Sequence, residues 1–292
     1  MKRLRDIGED ALIKRLTRDL PNAGLHTGPG DDCAVVDPGR GELRLLKADA
    51  IVEGVHFLPE APASKVGWKA VARVLSDFAA MGGKPESLLV TLALSAETPV
   101  KWVDGLYRGM RKCLDAHGGM LVGGETSSVP TGSAAVISVA GEGSVARRNL
   151  VLRSGGRPGD VLAVTGKLGG SIRGRHLSFT PRLEEGQWLG ARGARAMMDL
   201  SDGLAKDLPR MAAASGCGFE VDKDRVPRTR GSSVEAAIAD GEDYELLVAI
   251  PKAKWSRIQA EWPESYASLS EIGRLTNRGG TLEGGWEHFN VQ

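Results

Sequence analysis

Ser64-Lys65-Val66-Gly67-Trp68-Lys69-Ala70-Val71-Ala72-Arg73-Val74-Leu75-Ser76-Asp77-Phe78-Ala79-Ala80-Met81 is the segment on which the fold turns. Val66, Ala70, Val74 and Met81 recur at helical spacing, so the helix has one apolar face that must be buried. Ser64 is expected to cap its start, and Gly82, Gly83 and Pro85 to end it. Apolar strands are expected on both sides, over 42–52 and 87–94. Asp77 falls in the last turn, where the negative end of the helix dipole disfavours a carboxylate by about 0.3–1 kcal/mol. A nearby cation would reverse that cost.

Outward from this helix, strands and helices alternate. A second helix is expected over 99–116, with Pro99 suited to its first turn and Val103, Leu106, Met110 and Leu114 on its buried face. Gly118-Gly119 stops it, and short strands are expected at 120–122 and 134–140. A boundary is expected within 145–159, which holds Arg147, Arg148, Arg153 and Arg157 together with glycines and a proline. The second half reads as a strand at 161–165, a weakly patterned Gly/Arg-rich stretch over 166–195, and a strand at 196–200. A helix over 201–215 with Pro209 inside follows, then strands near 218–221 and 244–250. The expected class is α/β (α+β), with one domain over 1–145 and another over 146–292.

With 292 residues, 41% hydrophobic and 26% charged, the chain has ordinary globular composition and length for two domains. A net charge of +1 and 5% aromatic residues speak against a nucleic-acid or membrane partner. Cys33, Cys113 and Cys217 are far apart and odd in number, so no disulfide framework is expected. The five histidines are dispersed, with no metal-ligand spacing. The first twenty residues mix charges with Leu12, Ile13, Leu16 and Leu20 at helical spacing, unlike a signal peptide. A soluble, cytoplasmic protein is expected.

The chemistry lies in acids beside glycines at element ends: Gly30-Asp31-Asp32, Lys47-Ala48-Asp49, Ser76-Asp77, Gly123-Gly124-Glu125-Thr126, Asp199-Leu200-Ser201-Asp202-Gly203 and Gly241-Glu242-Asp243. Taken singly, each has a plain structural explanation. Gly-Asp-Asp makes turns, Ser201 caps a helix with Asp202 in its first turn, and His56 packs in a core. Together they describe a set of hard oxygen ligands. Mg²⁺ takes one or two carboxylates plus waters and phosphates, so several separate acids point to more than one ion. Transfer between two anionic phosphates needs such cations to offset repulsion. An acceptor phosphate is largely ionised at neutral pH and needs no general base, in keeping with the lack of a His or Ser catalytic arrangement. No P-loop, dinucleotide fingerprint or protein-kinase motif set is present.

These motifs resemble the thiamine-monophosphate kinase family, within the aminoimidazole ribonucleotide synthetase-like ATP-binding proteins. The resemblance runs through Gly28-Pro29-Gly30-Asp31-Asp32-Cys33-Ala34, Asp49-x-x-Val52-Glu53-Gly54-Val55-His56-Phe57 and Leu75-Ser76-Asp77-Phe78-Ala79-Ala80-Met81-Gly82. It continues in Val122-Gly123-Gly124-Glu125-Thr126, Arg153-Ser154-Gly155-Gly156-Arg157-Pro158-Gly159-Asp160, Asp199-Leu200-Ser201-Asp202-Gly203-Leu204 and Gly241-Glu242-Asp243-Tyr244-Glu245-Leu246. It implies a two-domain fold whose amino-terminal sheets pair across a homodimer, and ATP-dependent phosphorylation of thiamine monophosphate by direct in-line transfer. The implied Mg²⁺ ligands are Asp32, Asp49, Asp77, Glu125, Asp199 and Asp202. Tyr107, Gly124, Glu125, Arg153 and Ser201 are implied at ATP, and His56, Glu242 and Trp286 at thiamine monophosphate. A related enzyme with another phosphoacceptor, or a non-catalytic nucleotide-binding relative, is the alternative. Two departures stand out. Lys47-Ala48 replaces a hydroxyl pair, and Glu125 replaces an aspartate. From these the Lys47 ammonium is expected to replace part of the metal charge, paired with Glu125.

Overall fold

The computed structural model describes residues 2–20 and 25–289. In chain order the first half is α1 (Gly8–Thr17), β1 (Leu25–Thr27), β2 (Ala34–Val36), β3 (Leu43–Val52), α2 (Ala63–Ala80), β4 (Lys84–Ser95), α3 (Val100–His117), β5 (Met120–Val129) and β6 (Val136–Val145). The second half is β7 (Val161–Thr165), α4 (Leu183–Ala191), β8 (Ala196–Asp199), α5 (Leu204–Ala214), β9 (Gly218–Val221), α6 (Val234–Ala239), β10 (Leu246–Ile250), α7 (Lys252–Glu261) and β11 (Leu269–Thr276).

Strands β1–β6 form one sheet in the order β1-β2-β3-β6-β4-β5, antiparallel except for β4 and β5. That parallel pair needs a crossover, and α3 supplies it. Along β3 the side chains alternate between faces. Leu43, Leu45 and Ile51 are buried, and Lys47 and Asp49 share their face. The charged pair is therefore aimed at α2, not at the open side of the sheet. Strands β7–β11 form a second, wholly antiparallel sheet in the order β8-β10-β7-β11-β9.

The two halves share one core. Leu246, Val248 and Ile250 of β10 join a cluster that includes Val66, Val74 and Phe78 of α2, while Leu247 and Ala249 face a second cluster with Leu204, Leu208 and Ile238. Helix α2 is wedged between α3, α4 and the second sheet, which makes it the common wall of both halves. Among the described residues no helix is long and apolar enough to cross a membrane.

Several local expectations are corrected. Ser64 lies inside α2, whose cap position is Pro62. Ser201 and Asp202 precede α5, which starts at Leu204 after Gly203, so neither caps it; Pro209 sits within that helix. The stretch 166–195 contains α4, whose buried face includes Gly186, Gly190 and Glu185 and so lacks a clear apolar period. Strand β5 extends to Val129, well past the expected 122, because β4 pairs with it along its length.

Candidate active site

Three aspartates from three elements meet at the seam between the sheets. Asp32 stands in the turn before β2, Asp77 in the last turn of α2, and Asp199 at the end of β8. One carboxylate oxygen from each lies within 4.8 Å of the others, and all three residues are buried. The Ser76 hydroxyl donates to Asp199 Oδ2 at 2.7 Å. Arg153 donates to Asp32 Oδ1 through Nε at 3.1 Å and Nη2 at 2.5 Å. Asp32 Oδ2 is buried with no hydrogen-bond partner among the described residues. Burial pushes the Asp199 carboxyl up to about 6, helped by the charge of Asp32. Burial likewise raises Asp77 well above the usual carboxylate range against the pull of Lys47, with Asp199, Asp49 and Asp32 adding to it. Clustered acids carrying an orphaned oxygen are a donor set that suits a hard cation such as Mg²⁺.

The other expected ligands are placed around this centre. Asp49 faces Arg73 Nε at 3.0 Å, and its Oδ1 accepts from the Ala50 N–H at 2.8 Å. Asp202 pairs with Arg210 at 2.6 Å. Gly124 and Glu125 lie on β5, exposed at the sheet edge, where Ser127 Oγ donates to Glu125 at 3.3 Å. Tyr107 packs from α3 against the large core. Tyr107, Gly124 and Glu125 are not brought to the aspartates within one chain. The expected Lys47–Glu125 pair is corrected: Lys47 Nζ donates to Asp77 Oδ1 at 2.7 Å. The inward face of β3 looks at α2, whereas β5 lies three strands away at the edge.

Beside the aspartates opens a cleft of about 430 Å³, lined among others by His56, Arg73, Ser201, Glu242, Tyr244 and Trp286. Glu242 holds a left-handed backbone, with φ of 62°, which costs a non-glycine residue about 1–3 kcal/mol. Its N–H donates to the Ser201 carbonyl at 2.7 Å, and its Oε2 accepts from Lys69 Nζ at 2.6 Å. Tyr244 stacks on Phe179 and donates to Glu242 Oε1 at 3.4 Å. His56 Nδ1 accepts from the Val52 N–H at 3.0 Å, which leaves Nε2 to carry the proton. Burial, then the charges of Arg73 and Lys69, lower His56 to about 3, so it is neutral at physiological pH. Trp286 is tied down through its backbone, donating to the Asp202 carbonyl at 2.8 Å and accepting from Lys206 at 2.8 Å. Arg73 both lines the cleft and pairs with Asp49, which joins the cleft to the acids.

Residue-by-residue reading overlooked Lys69, Arg73, Asp31 and Tyr244. Lys69, Arg73, Ser76 and Asp77 sit at i, i+4, i+7 and i+8, a polar stripe down one side of α2 that was open to detection in the spacing. Asp31 accepts from the Arg153 N–H at 3.2 Å and is pushed up to about 7, first by burial and then by Asp32. Nothing local distinguishes it from a turn aspartate.

Comparison with known proteins shows the family and the fold over most of the chain. The family model described as AIR synthase related protein, N-terminal domain, matches residues 30–145, and the corresponding C-terminal domain model matches 157–284. Thiamine-monophosphate kinase of Rhodopirellula baltica is 34% identical over 92% of this chain and 89% of its own length. The enzyme of that name from Salmonella typhimurium is 34% identical over 92% of this chain and 90% of its own. The chain belongs to the thiamine-monophosphate kinase family. A solved structure described as AaThiL complexed with AMPPCP and TMP superposes with a TM-score of 0.88 at 30% identity, covering 99% of each chain. The hydrogenase maturation protein HypE of E. coli, at 21% identity and a TM-score of 0.70, shares the fold.

Proposed function

We propose that this protein transfers the γ-phosphoryl group of ATP to thiamine monophosphate, giving thiamine diphosphate and ADP. The observation that carries the assignment is the cleft in which Glu242, His56 and Trp286 meet beside the aspartate cluster. A carboxylate and an exposed indole suit a cationic thiazolium, with cation–π attraction worth about 0.5–2 kcal/mol. Whole-chain likeness to thiamine-monophosphate kinases, one of them solved with AMPPCP and TMP, supports the same assignment.

Asp32, Asp77 and Asp199 would hold Mg²⁺, with Asp49, Asp202 and Glu125 completing the acid set. When bound, the ion supplies charge neutralisation for the polyphosphate and the incoming phosphate. Arg153, seated on Asp32, offers a guanidinium to ATP, and Ser201 a hydroxyl at the cleft wall. Glu242 and Trp286 orient the acceptor. Its phosphate is already ionised and needs no proton acceptor, and the neutral His56 is a hydrogen-bonding group, not a base. Residues 1–145 are assigned to nucleotide and metal binding and to dimerisation, and 146–292 to the C-terminal α/β domain. We place the protein in the cytoplasm.

A homodimer completes the proposal. Leu46, Leu89 and Val122 are 44%, 49% and 53% exposed on the uncovered face of the first sheet, where they line one shallow hollow with Ala140. Pairing two such faces would bury them and set β5, with Gly124 and Glu125, against the other subunit. The decisive assay supplies ATP, Mg²⁺ and thiamine monophosphate and measures thiamine diphosphate. Labelled phosphate appearing on a different acceptor only, or tight ATP binding without turnover, would overturn the assignment.

A further inference from the structure

Four of the five aspartates expected to bind metal already carry a side-chain cation. Arg153 stands 2.5 Å from Asp32, Arg73 3.0 Å from Asp49, Lys47 2.7 Å from Asp77 and Arg210 2.6 Å from Asp202. Asp199 differs, being held by the Ser76 hydroxyl at 2.7 Å. The oxygens of Asp49 are both engaged, by Arg73 and by the Ala50 N–H. Asp202 Oδ2 faces both Arg210 and Lys206. The acids are thus not a uniform bed for several ions. Asp32, Asp77 and Asp199 converge, and among the described residues Asp32 Oδ2 is a buried oxygen there with no hydrogen-bond partner.

Lys47 is positioned by the sheet itself. It lies on the inward face of β3, opposite Gly141 of β6. A Cβ on Gly141 would meet Val74 at 3.0 Å and Phe78 at 3.1 Å, so the missing side chain lets α2 press against the sheet at this point. That approach carries the last turn of α2, and Asp77 with it, onto the ammonium. A divalent ion bridging Asp77 on the β3 side would need a carboxylate oxygen at about 2.0–2.1 Å in a near-octahedral shell. The ammonium already fills that approach, and a second cation brought so close would be repelled by it.

We propose that Lys47 is a resident cation that stands in for a second divalent ion at Asp77, so that the pocket of this chain takes a single divalent ion at the meeting point of Asp32, Asp77 and Asp199. The inference rests on the assignment of the pocket to metal-dependent phosphoryl transfer, and its test is chosen to fail separately from it. The full-length protein, without nucleotide or thiamine monophosphate, is titrated with Mn²⁺ alone, and bound ion is counted from the loss of the free Mn²⁺ resonance. Wild type is expected to take up a single Mn²⁺ per chain, Lys47→Arg likewise, and Lys47→Gln a second one. Two or more ions on wild type, or none, would overturn the proposal. So would a Lys47→Gln count equal to wild type in a sample whose circular dichroism matches it. If Lys47→Gln does not fold, the wild-type count still decides. Thiamine diphosphate formation by a wild-type protein that binds two ions would sink the lysine substitution and leave the kinase assignment standing. A single ion with no thiamine diphosphate formed would do the reverse.

Discussion

Lys69 is 0% exposed, and its ammonium is spent on two acceptors, the His56 carbonyl and Glu242 Oε2, both at 2.6 Å. Burial draws it down to about 8, with Glu242 holding it up against that pull. The charged form is therefore present below about pH 8 and is lost as pH rises through that value. Its role is to fix the carboxylate that faces the acceptor, so Lys69→Met should raise KM for thiamine monophosphate. One charged hydrogen bond at roughly 1.5–3 kcal/mol corresponds to about 10- to 100-fold, with a smaller effect on kcat. Wild-type KM should climb above about pH 8, and the variant should lack that break. Equal falls in kcat and kcat/KM at constant KM would assign Lys69 another role. Asp77→Asn removes a metal ligand and also takes the carboxylate from the Lys47 ammonium, which donates to Asp77 Oδ1 at 2.7 Å. Turnover should drop by at least about 100-fold, with the circular dichroism of the folded protein retained and a melting temperature below wild type. Near-native turnover would count against the metal assignment.

The site depends on where α2 lies as an element, since one helix carries Lys69, Arg73, Ser76 and Asp77. Helices α2 and α3 approach each other so closely that glycine is required at the crossing. A Cβ on Gly67 would lie 1.9 Å from the Leu106 carbonyl oxygen, and one on Gly109 would lie 1.9 Å from that of Ser64. Mid-helix glycine otherwise costs about 0.5–1 kcal/mol relative to alanine. Gly109→Ala on an isolated helix would therefore stabilise, whereas here it should destabilise by about 1–3 kcal/mol through overpacking. The sign is read directly from thermal unfolding followed by circular dichroism. A raised melting temperature would show that the two helices do not cross this tightly.

For the molecule as a whole, the first sheet is covered by helices on one face and bare on the other, where Leu46, Leu89 and Val122 stand exposed. Strand β5 is moreover a sheet edge, hydrogen-bonded among the described strands to β4 alone. Long exposed edges and apolar faces tend to find a partner. Leu89→Asp should convert a dimer into a monomer in sedimentation velocity with its circular dichroism unchanged. A wild-type protein that sediments as a monomer at micromolar concentration would remove the dimer from the proposal.

Much was legible in residue spacing. The apolar periods of α2 and α3 and the five-residue strand β7 follow from burial, which each segment satisfies through its own pattern. Acid-bearing motifs at element ends included Asp32, Asp77 and Asp199 among six candidate ligands, and the family resemblance gave them a metal role. The partner of each charge was not legible. Lys47 meets Asp77 across 30 positions, Ser76 meets Asp199 across 123, and Lys69 meets Glu242 across 173. Such pairings depend on how closely the elements approach, to within an ångström, and that distance is set by positions without a side chain, such as Gly141 and Gly109, that belong to neither partner. Periodicity is a property of one segment and can be read along it. Electrostatic pairing is a property of distances between segments, and it exists only once the core has closed.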